Sequence, residues 1–233
     1  MDLIRRFRRK LFPPDQVIEG YENEELVDTI FRKTIAYEPK GDWPLVADIK
    51  TVLDFGGGAG LHYKLARLQS PEIRWAVVET QAMVRRAREL ATNRLMFFSD
   101  IDKAIDWLND VELMHSNGAI QYVPDPIETV RSLCATRPAT MVWRRVPTSD
   151  GEAQGREVQT SFLSDNGPGS LPTVRDKMVR HERHRIPAQA FLAAHEDYDM
   201  IERSSDPLER GTEQFRFVRD RRRQSDDGSK TSS

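Results

Sequence analysis

The sequence predicts an α/β fold, a Rossmann-like doubly wound, mostly parallel seven-stranded sheet, and three observations carry that prediction. Short apolar runs alternate with helical segments from Thr51 to Trp143, the pattern of a parallel sheet covered on both faces. The first run ends in a glycine cluster, Gly56-Gly57-Gly58-Ala59-Gly60, where a strand turns sharply into a helix. Two more strand-like runs near the C-terminus complete the sheet, and right-handed crossovers impose the doubly wound order.

The elements follow in chain order. Residues 22–36 carry Leu26, Ile30 and Phe31 at helical spacing, so residues 1–45 read as an N-terminal helical extension. Thr51–Phe55 is a buried strand and Leu61–Gln69 a helix. Ile73–Val78 is the second strand, followed by a helix over Ala82–Leu90. Leu95–Phe98 is the third strand, with Lys103–Leu108 in the next helix. Val111–His115 is the fourth strand, Pro126–Cys134 a helix and Thr140–Trp143 the fifth strand. Residues 147–185 are rich in Gly, Pro, Ser and Arg and show no strong period. An unstructured loop of that length is unusual in a compact domain, so the segment reads as an insertion after the fifth strand, a lid beside the site. A helix over Pro187–His195 and strands at Tyr198–Glu202 and Gln214–Arg219 close a domain spanning 46–220. The polar tail 221–233 is expected to be disordered.

The chain has 233 residues, 38% hydrophobic and 31% charged, enough for one core with some decoration. A net charge of -2 gives no pull toward nucleic acid. A single cysteine, Cys134, excludes an internal disulfide and a cysteine-based metal cluster. No apolar stretch approaches a membrane span, and the N-terminus lacks a secretory signal, so the expected location is the cytoplasm. Residues 1–12 place Leu3, Ile4, Phe7 and Leu11 on one helical face amid five basic residues. Such a segment can lie on the inner membrane surface, against the simpler alternatives of a frayed basic start or a docked helix. Pro13 and Pro14 end it.

The chemistry centres on Asp54-Phe55-Gly56-Gly57-Gly58-Ala59-Gly60. Glycines let the backbone approach a ligand, and the helix behind them offers free N–H groups. A glycine-rich loop alone is a weak signal. It is strengthened by Asp54 before the glycines and by Glu79 at the end of the second strand, where a carboxylate can accept from both hydroxyls of a ribose. Leu61 stands where a dinucleotide fingerprint would place its third glycine. Asp100, just after the third strand, falls near the same crevice.

The successive segments VLDFGGGAG, VVET, FFSD and LMHSNGAIQYVPDP resemble the motifs of class I S-adenosylmethionine-dependent methyltransferases over residues 50–145. With Gly20-Tyr21, DFGG and NGAIQYVPDP, the chain more narrowly resembles a group of bacterial methyltransferases whose genes accompany surface-polysaccharide synthesis. The resemblance implies S-adenosylmethionine as cofactor and a small-molecule acceptor, such as a sugar or polysaccharide precursor. It implies that Gly56, Gly58 and Gly60 approach the methionine moiety and that Asp54 orders the loop. Glu79 would take the ribose and Thr80 lie beside the adenine. Asp100 would accept from the adenine amino group and Ile101 pack on its ring. Ser116 and Asn117 would border the sulfonium, with Gln121 and Tyr122 over the reacting centre. The chain departs from the common pattern in carrying Ser-Asn after His115 instead of an acid, which leaves the acceptor open.

Methyl transfer to an oxygen requires a general base. His115 and His62 are the candidates because imidazole titrates near neutrality, with Tyr122 nearby; the competing reading makes each histidine a satisfied polar group or a solvent-facing one. His181 and His184 are three apart, a metal-ligand spacing on a helix, but no third ligand is evident, so no metal is expected. The arginines around them can hold an anionic acceptor or simply form a solvated charge run. Two other functions use the same fold: a nicotinamide-dependent oxidoreductase, disfavoured by the missing third glycine and the acid before the loop, and a non-catalytic methyltransferase-like scaffold, disfavoured by the intact loop with Glu79.

Overall fold

The computed structural model describes residues 16–40, 43–151 and 155–220. The amphipathic segment 1–12, Pro13, Pro14 and the tail 221–233 lie outside the described residues. In chain order the elements are β1 (Val17–Glu19), α1 (Glu24–Ala36), β2 (Thr51–Phe55), α2 (Leu61–Gln69), β3 (Arg74–Val78) and α3 (Gln81–Ala87). They continue with β4 (Leu95–Phe98), α4 (Ile101–Leu108), β5 (Leu113–Asn117), α5 (Pro126–Ala135), β6 (Thr140–Val146) and β7 (Thr148–Ser149). The last are β8 (Gly155–Phe162), β9 (Met178–Pro187), α6 (Ala188–Ala193), β10 (Tyr198–Ser205) and β11 (Glu213–Arg219).

Seven strands form the main sheet in the order β10-β11-β6-β5-β2-β3-β4. The five from β6 to β4 pair in parallel, and β11 alone runs against both of its neighbours. Side chains alternate across the sheet. Val52, Trp75, Val77 and Leu113 enter one core with residues of α1, α2 and α3. Leu53, Ala76, Val78 and Met114 enter the other with residues of α4, α5 and α6. Residues buried on both faces explain why these strands read as continuous apolar runs. The helices start where short polar side chains take up free N–H groups: Asn23 Oδ1 accepts from Glu25 and Leu26, and Asp125 Oδ1 from Glu128. The strand order reverses between β3 and β5 around β2, which opens a crevice at their carboxyl ends.

Three expectations need correction. The fourth strand covers Leu113–Asn117, two residues later than expected, because Val111 turns into the core before the strand begins. The N-terminal extension is not purely helical: β1 pairs in parallel with β9, Val17 opposite Met178. Within residues 147–185, where the sequence shows no strong period, β8 and β9 form an antiparallel ladder from Gly155↔Arg185 to Phe162↔Met178, and β7 pairs with the end of β9. Periodicity was hidden because the buried face of β9 changes sides. Val179 and His181 are buried at its start, but His184 and Ile186 at its end. His181 and His184 therefore lie on a strand and not on one helical face.

The small sheet is fastened to the main domain through α1. Lys33, almost fully buried, donates from Nζ to the carbonyls of Ser164 (2.8 Å) and Asn166 (2.6 Å). Ile18, Leu26, Leu163 and Val179 form a separate apolar cluster between them.

Candidate active site

A cavity of about 1090 Å³ opens at the carboxyl ends of β2 and β5 and runs under the small sheet. On the main-sheet side it is lined by Gly56, Gly58, His62, Glu79, Thr80 and Asn117; on the other by Tyr21, Tyr122, Arg145, Gln159 and His181.

The loop after β2 depends on its glycines, as two of them illustrate. Gly56 has φ +73°, and a Cβ there would lie 2.0 Å from the Cβ of Ala119. Gly58 has φ +60° with open space around it, so only its conformation demands glycine. Glu79 reaches across the crevice: Oε1 accepts from the Gly58 N–H (3.1 Å) and Oε2 from the Thr80 N–H (2.7 Å). Burial raises the Glu79 pKa, against the opposing effect of those two N–H donors. Thr80 caps α3 by accepting from the Met83 N–H.

Behind the loop lies a buried polar cluster. Asp54 Oδ1 accepts from His115 Nδ1 (2.8 Å), and Oδ2 from Trp75 Nε1 (3.1 Å). His62 Nδ1 stands 3.5 Å from the same Oδ2. Burial raises the carboxyl's pKa, but His115 and then His62 outweigh it and hold Asp54 well below the usual range. Burial and the neighbouring His62 lower the His115 pKa despite Asp54, so the consistent state is an ionised Asp54 accepting from a neutral imidazole. Asp54, His62 and His115 bring three ligand atoms within 4.8 Å of one another. Their carboxylate is engaged by Trp75 and His115, while His62 Nδ1 makes no hydrogen bond among the described residues. From His62 the chain continues to the cavity: Asn117 Nδ2 is 3.3 Å from His62 Nε2, and Asn117 Oδ1 accepts from Arg145 Nε (2.7 Å). Arg145 itself has φ +54°, a strained conformation for a residue with a side chain.

The structure therefore separates the expected site residues into two groups. Gly56, Gly58, Glu79, Thr80, Asn117, His62 and Tyr122 share the cavity wall. Asp54, Gly60, Asp100, Ile101, Ser116 and His115 are not among the lining residues. His115, only 1% exposed and turned toward Asp54, is badly placed to take a proton from an acceptor. Asp100 caps α4 through the Lys103 N–H, Ile101 packs on the core, and Ser99 lines the cavity instead. The buried Gln121 does not face the cavity either. Sequence reasoning missed Gln159, Arg145 and His181 on the far wall. The sequence signals for that wall were Tyr21 in the Gly20-Tyr21 pair, Tyr122, expected over the reacting centre, and His181, read only as one of two histidines at a metal-ligand spacing.

The far wall is aromatic and hydrogen-bonded. Tyr21 stacks face to face on His181, ring centroids 3.9 Å apart, and meets Tyr122 edge-on at 4.9 Å. Tyr122 Oη donates to Gln159 Oε1 (2.5 Å), to which Arg183 also donates (3.4 Å).

No family model matches the sequence, and no curated protein matches it. Solved structures do match. The CcbJ methyltransferase from Streptomyces caelestis superposes with a TM-score of 0.54 at 11% identity, over 84% of this chain and 99% of that one. The sugar N-methyltransferase KedS8 from Streptoalloteichus gives 0.50 at 18%, over 94% and 93%. DesVI of Streptomyces venezuelae gives 0.50 at 14%, over 86% and 92%. At such identities the likeness is one of fold. The chain has the mixed α/β architecture found in these methyltransferases, a seven-stranded sheet with one reversed strand. Among the described residues no helix is long and apolar enough to cross a membrane.

Proposed function

We propose that the chain transfers a methyl group from S-adenosylmethionine to a small, sugar-like acceptor. The observation that carries this reading is the half-buried Glu79 carboxylate, held beside the Gly56–Gly58 turn at the reversal of the strand order. There it can accept from two ribose hydroxyls while the glycine loop passes the methionine moiety. Bound cofactor would supply an electrophilic methyl group on a sulfonium. The protein's part is then to orient the acceptor and to exclude water, since charge is lost during transfer and no metal is required. The cavity extends well past the glycine loop to Tyr122 and Gln159, which leaves room for an acceptor of sugar size. Structural neighbours that are methyltransferases, one of them a sugar N-methyltransferase, support the same choice at the level of fold.

Titration with S-adenosylhomocysteine tests the reading. Glu79→Gln removes the charge and one acceptor, and a charge-assisted hydrogen bond is worth about 1.5–3 kcal/mol. Affinity should fall roughly tenfold to a hundredfold in a variant that remains folded. A folded wild-type chain that ignores the compound, or a Glu79→Gln variant that binds it equally well, overturns the proposal.

A further inference from the structure

His181 has no role in cofactor binding, yet it is the most anomalous side chain of the cavity wall. It is 4% exposed, and neither ring nitrogen has a hydrogen-bond partner among the described residues. Leaving one buried polar group unpaired costs about 1–3 kcal/mol, and folded proteins rarely tolerate it without a reason. The ring cannot escape the cost by rotating outward, because Tyr21 lies flat on it and Tyr122 meets it edge-on. Its place on the wall of the cavity suggests that the missing partner is a ligand.

We propose that the acceptor is an amine and that His181 holds it, accepting an N–H of the amine at the unprotonated ring nitrogen. This rests on the methyl-transfer reading and adds the substrate class. Both nitrogens are closed off in this conformation, so binding requires the wall around the ring to open, a movement we assign to the turn that carries Tyr21, after the three-residue β1. Two further observations select an amine over an alcohol. Burial lowers the His181 pKa to about 4, so the ring stays neutral at physiological pH but is too weak a base to help ionise a hydroxyl. An amine needs no such help. In addition, the described residues of the cavity wall include Glu19, Glu22, Glu79, Asp165, Glu182 and Glu209 against Arg145 and Arg180, and although Glu19 pairs with Arg180 and Glu209 with Arg145, the remaining balance favours cations.

In the transfer step the amine lone pair forms the new N–CH₃ bond as the S–CH₃ bond breaks, and its electron pair goes to sulfur, which becomes a neutral thioether. The positive charge passes to the nitrogen, and the methylated ammonium loses its proton to solvent after release. His181 stays neutral throughout and acts as a positioning residue.

The test uses the full chain saturated with S-adenosylhomocysteine, with D-glucosamine as amine probe and D-glucose as the matched alcohol. Ring nitrogens of labelled histidine are followed by proton–nitrogen correlation, and His181 is assigned by its absence in His181→Phe. D-glucosamine should move the His181 nitrogens, and D-glucose should not. The dissociation constant for D-glucosamine should rise by at least roughly tenfold in His181→Phe and recover partly in His181→Gln, whose amide oxygen can accept an N–H. Affinity for S-adenosylhomocysteine should stay within about twofold in both variants. The rate of methyl transfer to D-glucosamine should follow deprotonation of the sugar's own ammonium group, with no inflection that disappears in His181→Phe. An equal response to D-glucose, no response to D-glucosamine (as when the ring merely holds a buried water), or undiminished binding in His181→Phe each overturns the proposal. A wild-type chain that fails to bind S-adenosylhomocysteine removes the methyl-transfer reading itself, a separate and recognisable failure.

Discussion

Two buried histidines, one in the turn after α6 that packs on the main sheet and one in the small sheet, share almost every property except their partners. His195 is 2% exposed, lies flat on Phe217 at 3.8 Å, and burial lowers its pKa to about 4. His181 is 4% exposed, lies flat on Tyr21 at 3.9 Å, and burial lowers its pKa to the same value. Around His195, however, Nδ1 donates to the Phe191 carbonyl (2.8 Å) and Nε2 accepts from Trp143 Nε1 (2.9 Å). Around His181 both nitrogens are unpaired. The first histidine completes a core, in which polar atoms must be satisfied from within the chain. The second borders a cavity, where the partner can come from outside. Burial and a shifted pKa therefore do not separate a structural histidine from a binding one; the census of hydrogen bonds does.

The contrast can be broken at several points. The largest effect is expected from His195→Leu, which keeps the volume but leaves Trp143 Nε1 and the Phe191 carbonyl unpaired at about 1–3 kcal/mol each. His181→Phe strands no partner and should leave stability unchanged or slightly raised. Denaturant unfolding of the two variants measures both, and equal losses would erase the distinction. A smaller effect is expected from Gly56→Ala, on the main-sheet wall. Its Cβ would collide with Ala119 at a φ of +73°, so affinity for S-adenosylhomocysteine should drop by roughly tenfold or more, while D-glucosamine binding should survive better. Calorimetry with the two ligands decides whether the walls act separately. The smallest effect concerns pH. Both histidines have folded pKa values near 4, below the ordinary 6.5, so the unfolded chain takes up protons first. Their contribution to stability is complete above about pH 6.5 and is lost as pH falls toward 4. His181→Phe should show a shallower loss over that interval and a constant offset from wild type above pH 7; identical slopes would mean that His181 does not titrate as described.

The centre of the main sheet was legible because β2, β3 and β5 are buried on both faces and so appear as unbroken apolar runs, with helices between them that signal their own starts. The glycine loop and Glu79 were legible for a related reason: a tight turn and a strand end restrict residue type. Asp54 and His115 were also visible as polar residues on apolar strands, but the sequence could not show that they face each other behind the loop. The far wall was illegible. Along β9 the inward positions are Val179, His181, His184 and Ile186, divided between two faces and half imidazole, so no simple alternation survives. Tyr21 and His181 are about 160 residues apart in sequence, and only the parallel pairing of β1 with β9 brings them together.

That pairing bears on how the molecule is assembled. Most of the sheet joins strands that are near neighbours in the chain, whereas β1 has nothing to pair with until β9 exists, and loop closure over such a distance is slow. During synthesis at about 5–20 residues per second, β1 waits roughly ten to thirty seconds for its partner. Ile18, buried in the finished protein, stays exposed meanwhile. The wall built on the glycine loop can thus form early, and the wall that carries Tyr21 and His181 closes only when the last third of the chain returns to the first. Pulse-labelled exchange during refolding should find the Gly20 amide, which donates to the Arg180 carbonyl, protected after the amides of β2 and β3. The pocket's two halves would then differ in age as well as in chemistry.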